Sequence, residues 1–206
     1  LGTSALVLTP DMSVSNGAIV VAADISTGAN QTYAGNVSLT NANTTFASVS
    51  GNLSFNGKVD GASHLTTTVA SAGSVTFKDS VGSVTPLTSL TAGAGTVILD
   101  PGLASISTSA DQIYGADLTL NPSAVTLNST AGNLTFNGKV DGASKLTTTV
   151  LNANAVSFNG LVGSVTPLQS ISVNGGATGS ANLGADLVTT GDQVFDAKVS
   201  LVSDVD

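Results

Sequence analysis

Apolar residues in this chain recur in one short signature: an apolar position, a second two residues later, and a third four residues after that. It reads Leu53, Phe55, Val59, then Val75, Phe77, Val81, then Val97, Leu99, Leu103, and next Leu118, Leu120, Ala124. It continues as Leu134, Phe136, Val140, as Val156, Phe158, Val162, and as Val199, Leu201, Val205. Alternation within the first pair is the period of a half-buried strand. Leu53 and Phe55 therefore point inward and Ser54 outward. Asn56-Gly57 and Asp60-Gly61 are turn dipeptides, and Val59 between them restores an inward residue. From His64 to Val69 the pattern predicts a second strand with Leu65, Thr67 and Val69 on one face. Each unit reads as two or three short strands separated by Gly, Asn and Asp corners.

The units are copies. Residues 51–90 overlay residues 132–171 without a gap at an offset of 81, with 28 of 40 positions identical. The same offset relates Gln31, Gln112 and Gln193, which open QTYAGNVSL, QIYGADLTL and QVFDAKVSL. This divides the chain into a partial repeat 1–30, repeats 31–111 and 112–192, and a partial repeat 193–206. Inside a copy, residues 51–73 overlay residues 73–95 at an offset of 22. An immunoglobulin-like sandwich has no reason to repeat one short strand pattern several times per domain. A solenoid does, because each turn sets the same side chains over those of the turn below. The expected fold is all-β: a right-handed parallel β-helix over residues 1–206, one continuous segment and a fragment of a longer chain. Tandem immunoglobulin-like sandwiches are the alternative. Inward positions from Val37 are spaced 16, 22, 22 and 21 residues apart, which allots four turns to each 81-residue repeat.

Composition narrows the function. The chain has no Cys, Trp, Arg or Glu, and its formal charge is −8. Phosphate backbones need clustered Lys or Arg, so nucleic acid is excluded as a partner, and anionic lipid is disfavoured for the same reason. No apolar run approaches the roughly 20 residues of a membrane-spanning helix, so no membrane insertion is expected.

Candidate chemistry is sparse. His64 is the one histidine, and its repeat equivalent is Lys145; a ligand or base would need partners that the sequence does not supply. Asp60 and Asp141 recur beside Gly in a turn context, so a hydrolytic carboxylate pair is weighed and set aside in favour of a corner role. Asp204-Val205-Asp206 is too little for a calcium loop. Gly175-Gly176-Ala177-Thr178-Gly179 lacks the ending of a phosphate loop. The expectation is a non-enzyme with no catalytic, cofactor-binding or metal-ligating residue and no cofactor. Softer signals are the sequons at Asn36, Asn43, Asn52, Asn128 and Asn133. The runs Thr66-Thr67-Thr68 and Thr147-Thr148-Thr149 suit a β-branched strand.

The strings GNLTFNGKVDGASKLTTTV, VGSVTPL and QIYGADLTL resemble repeats of bacterial filamentous-haemagglutinin-like and related giant β-strand-repeat surface proteins. The resemblance implies an exported parallel β-helix, extracellular or on the bacterial cell surface, that acts as adhesin, biofilm-matrix component or fibre. The expected function is thus a structural or adhesive rod. Its partners would be further copies, through self-association into filaments, or cell-surface glycans or proteins. A carbohydrate-active β-helix enzyme fragment is the alternative.

Overall fold

The computed structural model describes residues 6–8, 11–15, 17–70, 72–93 and 95–202. Within them every named strand pairing is parallel, and the chain winds as a parallel β-solenoid. This is the expected β-helix, and it replaces the sandwich alternative, which would need antiparallel sheets. The one helical piece among the described residues is a single 3-10 turn, Gly176–Thr178.

Each turn crosses three faces in order. The first face is a sheet ten strands deep, running from Leu6–Leu8 through His64–Val69 and Leu134–Phe136 to Lys198–Leu201. The second holds Gln31–Tyr33, Leu53–Phe55, Ser74–Phe77, Thr96–Leu99, Leu118–Leu120 and Val140–Asp141. The third joins Val37–Leu39 and Val59–Asp60 to Ser105–Thr108 through single bridges at Val81, and continues with Ala124–Ser129 and Lys145–Val150. Backbone N–H and C=O groups are satisfied by the turns above and below, which is what allows strands of two to six residues to persist in water.

The alternation expected from sequence is realised. Leu53, Phe55, Val59, Leu65, Thr67 and Val69 are all buried, and Ser54 and Thr66 lie on the outer side. Register stacks like on like. Phe55 is flanked by Tyr33 and Phe77 with ring centroids 5.2 Å apart on both sides, and Phe46 meets it edge-on. Phe136 is stacked between Tyr114 and Phe158 at 5.1 and 4.8 Å. Each such pair adds roughly 0.5–1.5 kcal/mol to the area it buries.

The turn count per copy needs correction. Along the second face Leu53 pairs with Val75, Val75 with Val97, Val97 with Leu118 and Leu118 with Val140. Four turns from Leu53 therefore reach Val140, six residues past its 81-residue equivalent, Leu134. Between Leu53 and Leu134 the chain passes eleven faces, which at three per turn is three and two-thirds turns. The apparent 16-residue turn from Val37 to Leu53 is two-thirds of a turn, because Val37 lies on the third face and Leu53 on the second. Each copy is consequently rotated about the rod by one face relative to the last. Gln31 sits on the second face, Gln112 on the first and Gln193 on the third.

Candidate functional site

The repeated outward features lie at the corners. The main one is the loop Gly82–Pro86, with its copy Gly163–Pro167. Most turns take 21 or 22 residues, but Leu65 to Leu90 and Val156 to Ala181 take 25. The extra residues bulge outward between Val81 and Leu87, both of which stay buried and bridge to Ile106 and Thr108. Gly82 has φ +67° and Gly163 +70°, and a Cβ at either would come within 2.2 or 2.1 Å of the carbonyl oxygen of Ser107 or Val188. Only glycine fits there.

Asp60 anchors the first loop. Its Oδ1 accepts the backbone N–H groups of Val84 at 2.8 Å and Thr85 at 3.2 Å, while Gly61 N–H donates to Thr85 O at 3.1 Å. Asp141 repeats the arrangement on Val165 and Thr166 at the same two distances. The loops are thus held from below, yet Val84 and Val165 at their tips are each 75% exposed. No packing reason requires valine at those tips. Beneath the second loop lies an open cleft lined by Asn121, Pro122, Asp141, Ala143, Val165 and Thr166.

These anchoring bonds decide the carboxylate question. Asp60 lies on the third face and Asp141 on the second, separated by three and two-thirds turns, or about 18 Å along the rod at ~4.8 Å per turn. Glycosidic pairs need separations of roughly 5–10 Å, so the two aspartates form no pair.

His64 is an exposed strand residue between Asn43 and Ser89, with Nδ1 2.8 Å from Ser89 Oγ. The Asp111 carboxylate accepts the backbone N–H of Asn133 at 2.8 Å. Lys145 occupies the equivalent strand position between Ala124 and Ser170. Asp204-Val205-Asp206, with the last residue of the final apolar triplet, lies outside the described residues. Among the described residues there is no cluster of three or more His, Cys, Asp or Glu placed to hold a metal ion.

A corner ladder escaped the sequence reading. Asp11 Oδ1 accepts the N–H of Asn30 at 2.8 Å, Asn30 Oδ1 that of Asn52 at 2.9 Å, and Asn52 Oδ1 that of Ser74 at 2.9 Å. Asp111, Asn133 and Ala155 repeat it at 2.8 Å per step. A second corner has Asn36 Oδ1 taking Lys58 N–H at 3.0 Å, and Asp117 Oδ1 taking Lys139 N–H at 2.8 Å. The signal in the sequence was an Asx residue just before a strand in successive turns. Of the five sequon asparagines named above, Asn36, Asn52 and Asn133 are engaged in these ladders, and so is Asn30, which opens a sixth sequon, Asn30-Gln31-Thr32. At the corner of Asn56 and Asn137, Lys78 pairs with Asp100 at 3.8 Å in the first copy, and Asn159 Nδ2 donates to Asn137 Oδ1 at 2.9 Å in the second.

The interior holds its own repeated polar device. Gln31 and Gln112 are fully buried; Tyr33 and Tyr114 donate their hydroxyls to the amide oxygens at 2.9 and 3.0 Å, and the amide nitrogens donate to the carbonyls of Ala47 and Asn128.

The fold and these corners define the class: a parallel β-solenoid whose turns are held by Asx ladders and aspartate-anchored loops. No protein-family model, curated protein or solved structure matches the chain. Among the described residues, no helix is long and apolar enough to cross a membrane.

Proposed function

We propose that this chain is a non-catalytic rod segment of a large bacterial cell-surface or secreted protein, acting as stalk, adhesin or fibre component. One observation carries this reading. The loops Gly82–Pro86 and Gly163–Pro167 have the same sequence, are anchored from below, expose a valine each and leave the rod from different faces. A rigid rod that shows one contact element around its circumference suits many weak contacts whose avidity adds without a deep pocket. Glycans or proteins on another surface, or neighbouring rods, are the partners this display fits. The likeness of its repeats to filamentous-haemagglutinin-like proteins supports the same reading, as does a cysteine-free chain stabilised by turn-to-turn bonds.

The test is a copy-number series displayed on beads, with one, two and three 81-residue units. Adhesion to cells should rise more steeply than the number of units, and Val84→Ser with Val165→Ser should reduce it at unchanged thermal stability. Adhesion independent of both copy number and loop tips would overturn the adhesive role.

A further inference from the structure

Five Asn-Gly and two Asp-Gly dipeptides punctuate the chain, and six of the seven lie wholly within the described residues. The fold sorts them by what the glycine N–H does. Gly61 and Gly142 donate theirs to Thr85 O and Thr166 O at 3.1 Å, and Gly175 donates to Asp196 O at 2.8 Å. Among the described residues, no acceptor takes the N–H of Gly57, Gly138 or Gly160. These three follow the exposed corner residues Asn56, Asn137 and Asn159, each one residue beyond a phenylalanine of an inward stack. A nitrogen whose N–H is held must give up that bond before it reacts. A free one on glycine, with no Cβ in the way, closes more readily on the side-chain amide before it.

The three amides differ in turn. Asn137 Oδ1 accepts Asn159 Nδ2 at 2.9 Å, so ring closure at either residue breaks this bond. In the first copy the stacked neighbour is Lys78, one residue beyond the Phe55–Phe77 pair, and it pairs with Asp100 at 3.8 Å. The Asn56 side chain has no hydrogen-bond partner among the described residues. Local sequence does not separate the two copies, because Phe-Asn-Gly-Lys-Val-Asp-Gly surrounds Asn56 and Asn137 alike.

The structure assigns Asn56 as a self-modifying site. The Gly57 nitrogen attacks Asn56 Cγ, the bond from Cγ to the side-chain nitrogen breaks, and ammonia leaves with the proton that Gly57 gives up. Water then opens the five-membered ring at one of its two carbonyls. A carboxylate replaces a neutral amide, one water is consumed and one ammonium is released, with no oxidant, reductant or cofactor. Copies that are alike when made thus come to differ: the first gains a negative charge at the Lys78 corner, while the second stays neutral far longer.

The test incubates the full chain at mildly alkaline pH and follows each asparagine by peptide mapping and mass spectrometry. Blocked peptides of residues 51–61 and 132–142 run alongside and should convert at one common rate. In the folded chain Asn56 should convert about three to ten times faster than Asn137 or Asn159, the worth of the single bond those two must release. Asn174, whose glycine N–H is held, should be slowest. Asn159→Ala frees the Asn137 amide and should raise its rate to that of Asn56. Lys78→Asn copies the sister corner, gives Asn56 a partner and should slow it to the rate of Asn137. Melting curves verify that both variants fold. Conversion of Asn56 no faster than that of Asn137, or rates that neither substitution moves, would overturn the assignment.

Discussion

Tyr114 and Gln112 show how single residues specify this interior. An apolar pair would fill the same volume, but the Tyr114 hydroxyl satisfies the Gln112 amide oxygen within one strand, and the Gln112 amide nitrogen reaches the Asn128 carbonyl on another strand only in the native register. Burial pushes the pKa of Tyr33 and Tyr114 far above its ordinary value. In the unfolded chain these phenols ionise near pH 10, while in the fold they stay protonated beyond it. The folded state therefore holds more protons at high pH, and stability falls as pH rises past that point, by about 1.4 kcal/mol per pH unit for each tyrosine. Urea melts between pH 9 and 12 should show the loss setting in near pH 10 and approaching this slope above about pH 11. Tyr33→Phe with Tyr114→Phe should flatten it, while costing about 1–3 kcal/mol per site at pH 7 because a buried amide oxygen loses its donor. Phe136→Ala opens a hole between two stacked rings and should cost about 3–5 kcal/mol. His64→Lys copies the sister repeat at an exposed position and should change the unfolding free energy by less than about 0.5 kcal/mol. A large loss from that substitution would mean that the His64–Ser89 bond carries more than its exposed setting implies.

The scale of the turn is where sequence and structure part. Inward and outward positions were legible, because alternation within Leu53-Ser54-Phe55 is a property of any strand. The 22-residue offset was legible too, from residues 51–95 alone. The face on which a strand sits was not. The apolar signature marks a strand and its following corner without saying which of three faces it occupies, so Val37 and Leu53 looked like successive turns. Register alone separates them. The Asx ladders were missed for a related reason: the donor is a main-chain N–H, so Asp, Asn and finally Ser or Ala can follow one another without a repeating side chain. The role of Asp60 and Asp141 at corners was foreseen, but the partner loop, one turn away, was not. Asp141→Ala removes the acceptor for two amides while leaving the core untouched. It should cost about 1–2 kcal/mol and raise exchange at Val165 and Thr166 before anywhere else. Uniform loss of protection along the rod would show that the loop is not an independent unit.

For the whole molecule, the mismatch between an 81-residue copy and a 22-residue turn has a mechanical consequence. Three copies pass through eleven turns before the pattern returns to its starting face, so a longer array displays each corner on every side of the rod. Removing Gln31–Asp111 joins Asn30 to Gln112 and leaves each side chain with neighbours of the type it already has. Met12 would receive Gln112 in place of Gln31, and the aromatic stack would resume from Tyr114. The energetics of such stacks are a sum of turn and nearest-neighbour terms, so this variant should fold, lose three and two-thirds turns and shorten by about 18 Å at ~4.8 Å per turn. Everything after the junction should also rotate by one face relative to residues 11–30. Removing 40 residues instead, Gln31–Ala70, sets Asn30 before a segment out of phase with the corner it replaces. Two turns from Gln31 to Val75 span 44 residues, so four surplus residues would be left at the tight Asx corner, where the ladder step from Asn30 is lost and the strand Ser74–Phe77 is displaced from its column. Thermal melts should separate the two variants by more than 10 °C, and scattering should give the shorter rod only for the first. Equal stability would mean that the solenoid accepts any register, and the pairing of Leu53 with Val75 and of Leu118 with Val140 would lose its place as the determinant of the fold.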